Sequence, residues 1–174
     1  MEIRSLSPSD DRSAFESGDE LLDRFFRQYA GQNQFRHYLG VTYVAIEARR
    51  ILGFVTVAPG QLEIDALPAA ARKKIPRHPL PVLRLARLAV ERAVQHQGLG
   101  RTLLRFTLGL ATKMAADYGC AGVVIDAKPN ALAFYEKYGF VAFDALEGRS
   151  EARPRTTTMF LAMRAITAAD SPKR

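Results

Sequence analysis

Gln95-His96-Gln97-Gly98-Leu99-Gly100-Arg101 lies between an apolar, strand-like segment and a long amphipathic helix pattern, and its two glycines decide how the chain is read. Glycine has no Cβ, so the backbone can turn tightly and come close to a ligand. At a helix start, successive N–H groups point outward at the positive end of the helix dipole, which suits a pyrophosphate. The same Gly-x-Gly turn also serves as a plain strand-to-helix connection, and both readings stand at this point.

Outward from the turn, Leu99, Leu103, Phe106, Leu110 and Met114 recur at helical spacing and predict the buried stripe of a long helix. A strand is expected over 121–126 and a closing strand over 157–163. Upstream, residues 82–90 read as a strand, yet Arg84 and Arg87 are three apart and would fall on opposite faces of a regular one. A bulge near 86–88 reconciles the register and leaves backbone groups unpaired; an irregular strand is the alternative.

Residues 129–140 carry the marks of a short helix. Asn130 is placed to cap it, Ala131, Phe134, Tyr135 and Tyr138 share a face, and Gly139 suits the left-handed residue that ends a helix. Phe134 reads at least partly as packing. A buried Tyr135 would need a partner for its hydroxyl, which leaves room for chemistry.

The remaining chain supports one compact domain over 1–167 with a polar tail over 168–174. Its 174 residues, 48% apolar, are enough to bury a sizeable core. A first strand is expected at 2–6. Ser17-Gly18-Asp19 precedes a helix over 20–35 whose apolar face is Leu22, Phe25, Phe26 and Tyr29. Strands 41–48 and 51–58 form a hairpin around Ala48-Arg49-Arg50, although the Asn-Gly pair common in such turns is missing. Five prolines and a basic cluster interrupt 59–81, with room for a short helix at 67–74. The single cysteine, Cys120, sits in an apolar setting and reads as a buried thiol, and His37, His78 and His96 lack metal-ligand spacing. Glu2 and Arg4 stand where a signal peptide would need apolar residues, and no apolar run reaches membrane-spanning length, so no membrane role and a cytoplasmic location are expected.

Gln95, Gly98 and Gly100, followed by a helix, a strand and the run Phe134, Tyr135, Gly139, Phe140, resemble the GNAT family of acetyl-CoA-dependent N-acetyltransferases. The likeness is close over 83–145. It implies an α/β (α+β) fold with a central mixed, mostly antiparallel, twisted sheet flanked by helices, and acetyl-CoA as cosubstrate. It also implies that backbone groups of Leu88, Ala89 and Val90 bind the pantetheine arm, that Gln95, His96, Gln97, Gly98, Leu99, Gly100 and Arg101 hold the pyrophosphate, and that Asn130 and Phe134 contribute to the cofactor site. Tyr135 falls where many of these enzymes place a general acid for the departing sulfur. Tyr138 and Tyr43 are the competing tyrosines, a backbone N–H near Leu88 is a candidate for polarising the carbonyl, and Glu63 and Asp65 are the available carboxylates for a base.

Charge adds a substrate class. The formal net charge is +7, and residues 72–105 hold nine lysines and arginines against one acid, Glu91. Such a field guides a long anionic substrate, with Lys73, Lys74, Arg77, Arg84 and Arg87 as candidate contacts, or serves only the phosphates of coenzyme A. Within the family, Phe15-Glu16-Ser17-Gly18, Thr42-Tyr43-Val44-Ala45, Arg87-Leu88-Ala89-Val90 and Val124-Ile125-Asp126-Ala127-Lys128 resemble the toxins that acetylate the amino acid on tRNA. That likeness implies aminoacyl-tRNA as substrate, blocked translation, a ribbon-helix-helix antitoxin and a homodimer. An acetyltransferase for a small amine or protein N-terminus, and a non-enzymatic binding protein, are the competing readings.

Overall fold

The computed structural model describes residues 1–63, 79–143 and 155–170. Its strands are β1 (Glu2–Ser5), β2 (Val41–Glu47), β3 (Arg50–Leu62), β4 (Leu80–Val90), β5 (Gly122–Ala127), β6 (Val141–Ala142) and β7 (Thr157–Ala162). They form one sheet in the order β1-β2-β3-β4-β5-β7-β6, and the β1/β2, β2/β3, β5/β7 and β6/β7 pairings are antiparallel. The helices are α1 (Glu20–Arg24), α2 (Ala30–Phe35), α3 (Leu99–Asp117), α4 (Leu132–Glu136) and α5 (Met163–Asp170). Two compact units are distinguishable: Met1–Ala58 with Leu85–Thr107, and Pro59–Arg84 with Leu108–Arg174.

In the first unit, the Asp19 side chain accepts from Leu21 and Leu22 N–H at 3.1 and 3.2 Å and so starts α1 as expected. Between α1 and α2 the helix widens into a π turn over Phe25–Tyr29, where Ala30 N–H bonds back five residues to Phe25. The widened turn buries consecutive residues. Phe26 stacks on Phe54 at 4.2 Å between ring centroids, and Phe15 meets both rings edge-on. Each such ring contributes about 1.5–3 kcal/mol by leaving water. The β2–β3 hairpin turns through Ala48 and Arg49, both left-handed at φ 45° and 69°. This is the backbone of a two-residue primed turn, built without the glycine or asparagine that usually supplies it. Pairing then slips at Leu52, whose carbonyl accepts Glu91 N–H at 2.8 Å. A Cβ at Gly53 would stand 3.0 Å from the Ala89 carbonyl oxygen and from Leu103, so glycine permits this close approach.

In the second unit, β5 is buried along its length except at Asp126, and Val124 packs with Leu80, Val82, Phe143 and Phe160. Cys120 is buried, with its thiol 3.2 Å from the Gly122 carbonyl oxygen, as expected of a structural cysteine. The closing strand ends at Ala162, and α5 carries the chain on to Asp170 with Ile166 buried. Residues 168–170, expected as part of the polar tail, thus continue the helix that Ile166 anchors in the core. The buried face of α3 also differs from expectation: Leu104, Thr107 and Ala111 are fully buried, while Phe106 and Leu110 are half-buried. Threonine is tolerated there because its hydroxyl donates to the Leu103 carbonyl at 2.9 Å. The helix expected at 67–74 lies outside the described residues.

Candidate active site

The glycine turn follows β4 through a short 3-10 turn, Arg92–Val94. His96 and Gly98 are left-handed, at φ 62° and 88°. The first intrahelical bond of α3 runs from Thr102 N–H to the Gly98 carbonyl at 3.1 Å. The N–H groups of Leu99, Gly100 and Arg101 therefore precede the helix ladder and have no acceptor within it. A Cβ on Gly98 would meet no heavy atom within 4 Å, so the mouth of the helix is open at that point. Positive dipole, unclaimed N–H groups and clear approach together fit a pyrophosphate. Arg101 is exposed beside them, and Gln97 and His96 are exposed in the turn itself.

The side chain of Gln95 faces inward. Its amide donates to the Ser17 carbonyl at 2.7 Å and to the Val90 carbonyl at 3.0 Å, tying the end of β4 to the segment before α1. Ser17 is itself fixed, because its N–H and hydroxyl both donate to the buried Asp23 carboxylate at 2.8 and 2.6 Å. Arg92 N–H adds a bond to the Glu16 carbonyl at 2.8 Å. Ser17 and Asp23 thus belong to the support of the turn, a role the sequence reading missed. The only available signal was Ser17-Gly18-Asp19, which marks a helix start equally well.

In the second unit, α4 presents Tyr135, 7% exposed, between Phe134 at 5.0 Å and Phe140 at 5.5 Å, both edge-on. Burial pushes the phenol up to about 12, since removing water penalises the phenolate. Tyr138, the competing tyrosine on the same segment, packs edge-on against Phe134 and is half-buried. Asn130 does not cap the helix: a 3-10 turn, Pro129–Ala131, starts one residue earlier, and no side chain caps α4. The cause is Pro129, whose fixed φ suits the first helical position and places Asn130 inside the turn, exposed.

Leu88 and Val90 are half-buried and Ala89 is buried. Of the candidate basic contacts, Arg84 donates to Asp126 at 2.7 Å, and Thr158 donates to the same carboxylate at 2.8 Å. Arg87 lies with its guanidinium 3.7 Å from the Phe25 ring centroid, and burial lowers its pKa. These two are partnered within the protein; Lys73, Lys74, Arg77 and Asp65 lie outside the described residues, and Glu63 is exposed. Tyr43 meets Phe106 edge-on at 4.9 Å. Among the described residues, no cluster of His, Cys, Asp and Glu could hold a metal, and no helix is long and apolar enough to cross a membrane.

A strand that runs into a glycine turn, and from there into a helix whose first N–H groups precede its ladder, is a geometry that suits the phosphates of a nucleotide or cofactor. The chain belongs to the GNAT acetyltransferases: residues 39–142 match the acetyltransferase (GNAT) domain. It is therefore an acyltransferase with acetyl-CoA as cosubstrate. A tRNA-acetylating toxin of Mycobacterium tuberculosis is 34% identical over 140 residues, 79% of this chain and 82% of the relative. The structure of AtaT complexed with acetyl-methionyl-tRNAfMet superimposes with a TM-score of 0.83 at 26% identity, covering 98% of this chain and 99% of that one. AtaTR bound with acetyl-CoA gives 0.78 at 26% identity, with 98% of each chain covered.

Proposed function

We propose that this acetyltransferase is a toxin that acetylates the α-amine of aminoacyl-tRNA, blocks translation in the cytoplasm, and is neutralised by a ribbon-helix-helix antitoxin. Residues 1–167 act as its one catalytic domain, in a homodimer. The observation that carries this reading is the 34% identity to a tRNA-acetylating toxin across four-fifths of the chain. The fold match to AtaT complexed with acetyl-methionyl-tRNAfMet supports it, as does a net charge of +7 for an anionic substrate.

Bound acetyl-CoA supplies an activated acetyl thioester. The N–H groups of Leu99, Gly100 and Arg101 hold its pyrophosphate, with His96, Gln97 and Gly98 shaping the turn. Gln95 acts from behind, by fixing the turn's position. Backbone groups of Leu88, Ala89 and Val90 bind the pantetheine arm, and Asn130 and Phe134 line the same cofactor's path. As the amine nitrogen bonds to the thioester carbon and the C–S bond breaks, the electron pair moves to sulfur and an N–H proton must leave. Tyr135 donates a hydrogen bond to that sulfur. A phenol held at about 12 gives up its proton reluctantly to a thiolate, whose ordinary pKa is about 8.5. Tyr135 therefore stabilises the charge gathering on sulfur, and the proton released by nitrogen completes the exchange. An α-amine starts near pKa 8, and esterification of the adjacent carboxyl lowers it further, so water suffices as base.

The test follows labelled acetyl from acetyl-CoA into charged and uncharged bulk tRNA, with wild type beside Tyr135→Phe. Label is expected on charged tRNA alone and with wild type alone. Label absent from tRNA while acetyl-CoA still binds would overturn the tRNA substrate and favour a small amine or a protein N-terminus.

A further inference from the structure

We propose that Tyr38, with Phe35, Arg36, His37 and Leu39 around it, is a stacking platform for an unpaired nucleobase at the single-stranded end of an RNA. The inference rests on the reading above, and it names where on this chain the substrate's end is held.

Three observations meet here. The helix ends in a left-handed stop: Leu39 N–H reaches back six residues to the Asn33 carbonyl at 3.0 Å, and Tyr38 occupies the left-handed position at φ 53°. Glycine or asparagine usually fills that position, because a Cβ strains it. Tyrosine there is costly, and its ring offers the fold nothing in return, being 84% exposed beside a 63% exposed Leu39. A strained residue whose side chain points into water is explained by a ligand more readily than by packing. The third observation is charge. Residues 24–46 contain no Asp or Glu; Arg27 in this stretch pairs with Asp23 at 3.8 Å, while Arg36 and His37, the two residues before Tyr38, are exposed. Exposed aromatic rings beside an exposed arginine, in a stretch of chain without an acidic residue, match the chemistry of single-stranded nucleic acid, whose bases stack and whose phosphates need neutralising. A protein surface or a second copy of this +7 chain fits that charge less well.

Tyr38→Gly separates strain from binding, since it relieves the backbone and removes the ring. The probe is a single-stranded RNA oligonucleotide of mixed sequence, followed by fluorescence anisotropy at two salt concentrations. Tyr38→Gly and Tyr38→Ala are expected to weaken binding roughly ten-fold, and Tyr38→Phe to hold within about two-fold. Arg36→Ala should lower the salt slope by about one. The melting temperature of Tyr38→Gly should equal or exceed that of wild type, and acetyl-CoA affinity should not change. Unaltered RNA affinity in Tyr38→Gly overturns the platform, and so does a shift in oligomeric state without loss of RNA binding, which would make this face a contact between copies. Wild type that fails to acetylate charged tRNA, with the oligonucleotide effect intact, refutes the proposed function and leaves the platform standing. Wild type that acetylates charged tRNA with an unchanged KM in Tyr38→Gly refutes the platform alone.

Discussion

The glycine turn and the tyrosine helix are built by opposite means. The turn is held by polar ties: Gln95 to two carbonyls, Ser17 to Asp23, Arg92 to Glu16. Tyr135 is held by ring packing against Phe134 and Phe140. A hydrogen-bonded scaffold fixes where backbone N–H groups point, which suits a part that binds a defined anion. An apolar cage sets the proton affinity of the group inside it, which suits a part that handles charge during the reaction. The polar part is thus expected to fail in affinity when damaged, and the apolar part in rate.

Tyr135→Phe tests this most strongly. It keeps the ring packing and removes the hydroxyl that donates to the sulfur, so kcat should fall by roughly 10²–10³-fold with the KM for acetyl-CoA nearly unchanged, measured by steady-state kinetics on charged tRNA. Equal losses in kcat and acetyl-CoA affinity would erase the contrast. The same variant has a stability signature. The folded phenol stands at about 12, above its ordinary value of 10. A raised folded pKa contributes stability that is complete below pH 10 and is lost as pH rises toward 12. Denaturant unfolding should show an alkaline loss of up to about 3 kcal/mol in wild type that is missing in Tyr135→Phe.

Gln95→Leu probes the polar side. It leaves the carbonyls of Ser17 and Val90 without this donor, and stability should drop by about 1–3 kcal/mol. Acetyl-CoA affinity, read by calorimetry, should fall while the single-turnover rate at saturation holds. The smallest effect concerns neither site and serves as a baseline. Arg49→Gly places glycine at a left-handed turn position and should stabilise by about 1 kcal/mol, visible as a raised melting temperature with unchanged kinetics.

Local patterns were legible in the sequence, and long-range partners were not. The turn, the hairpin, the α1 cap and the position of Tyr135 all follow from spacing and residue type. Gln95 was recognisable as part of a signature, but its direction depends on Ser17, 78 residues away, which no local pattern encodes. Asn130 was misjudged because Pro129 outranks it in setting where a helix begins. Leu104, Thr107 and Ala111 were missed because a stripe counted from Leu99 admits a neighbouring phase, and only the sheet beneath the helix selects between them. Arg84 and Arg87 were counted as free charge, yet an Asp126 carboxylate and a Phe25 ring already claim them.

The π turn at Phe25–Tyr29 carries one residue more than an α-helix needs, the local signature of an insertion. Removing any one residue there would restore a plain helix and would rotate everything after it by about 100° and draw it back by about 1.5 Å. Gly31, whose flank accommodates Arg12, would turn away, and so would the exposed end that bears Tyr38. The insertion therefore works as a gear between the buried phenylalanines and the surface beyond them, and a lineage that lost it would have to reinvent that surface and find a new partner for the core at Ala30, which is fully buried beside them.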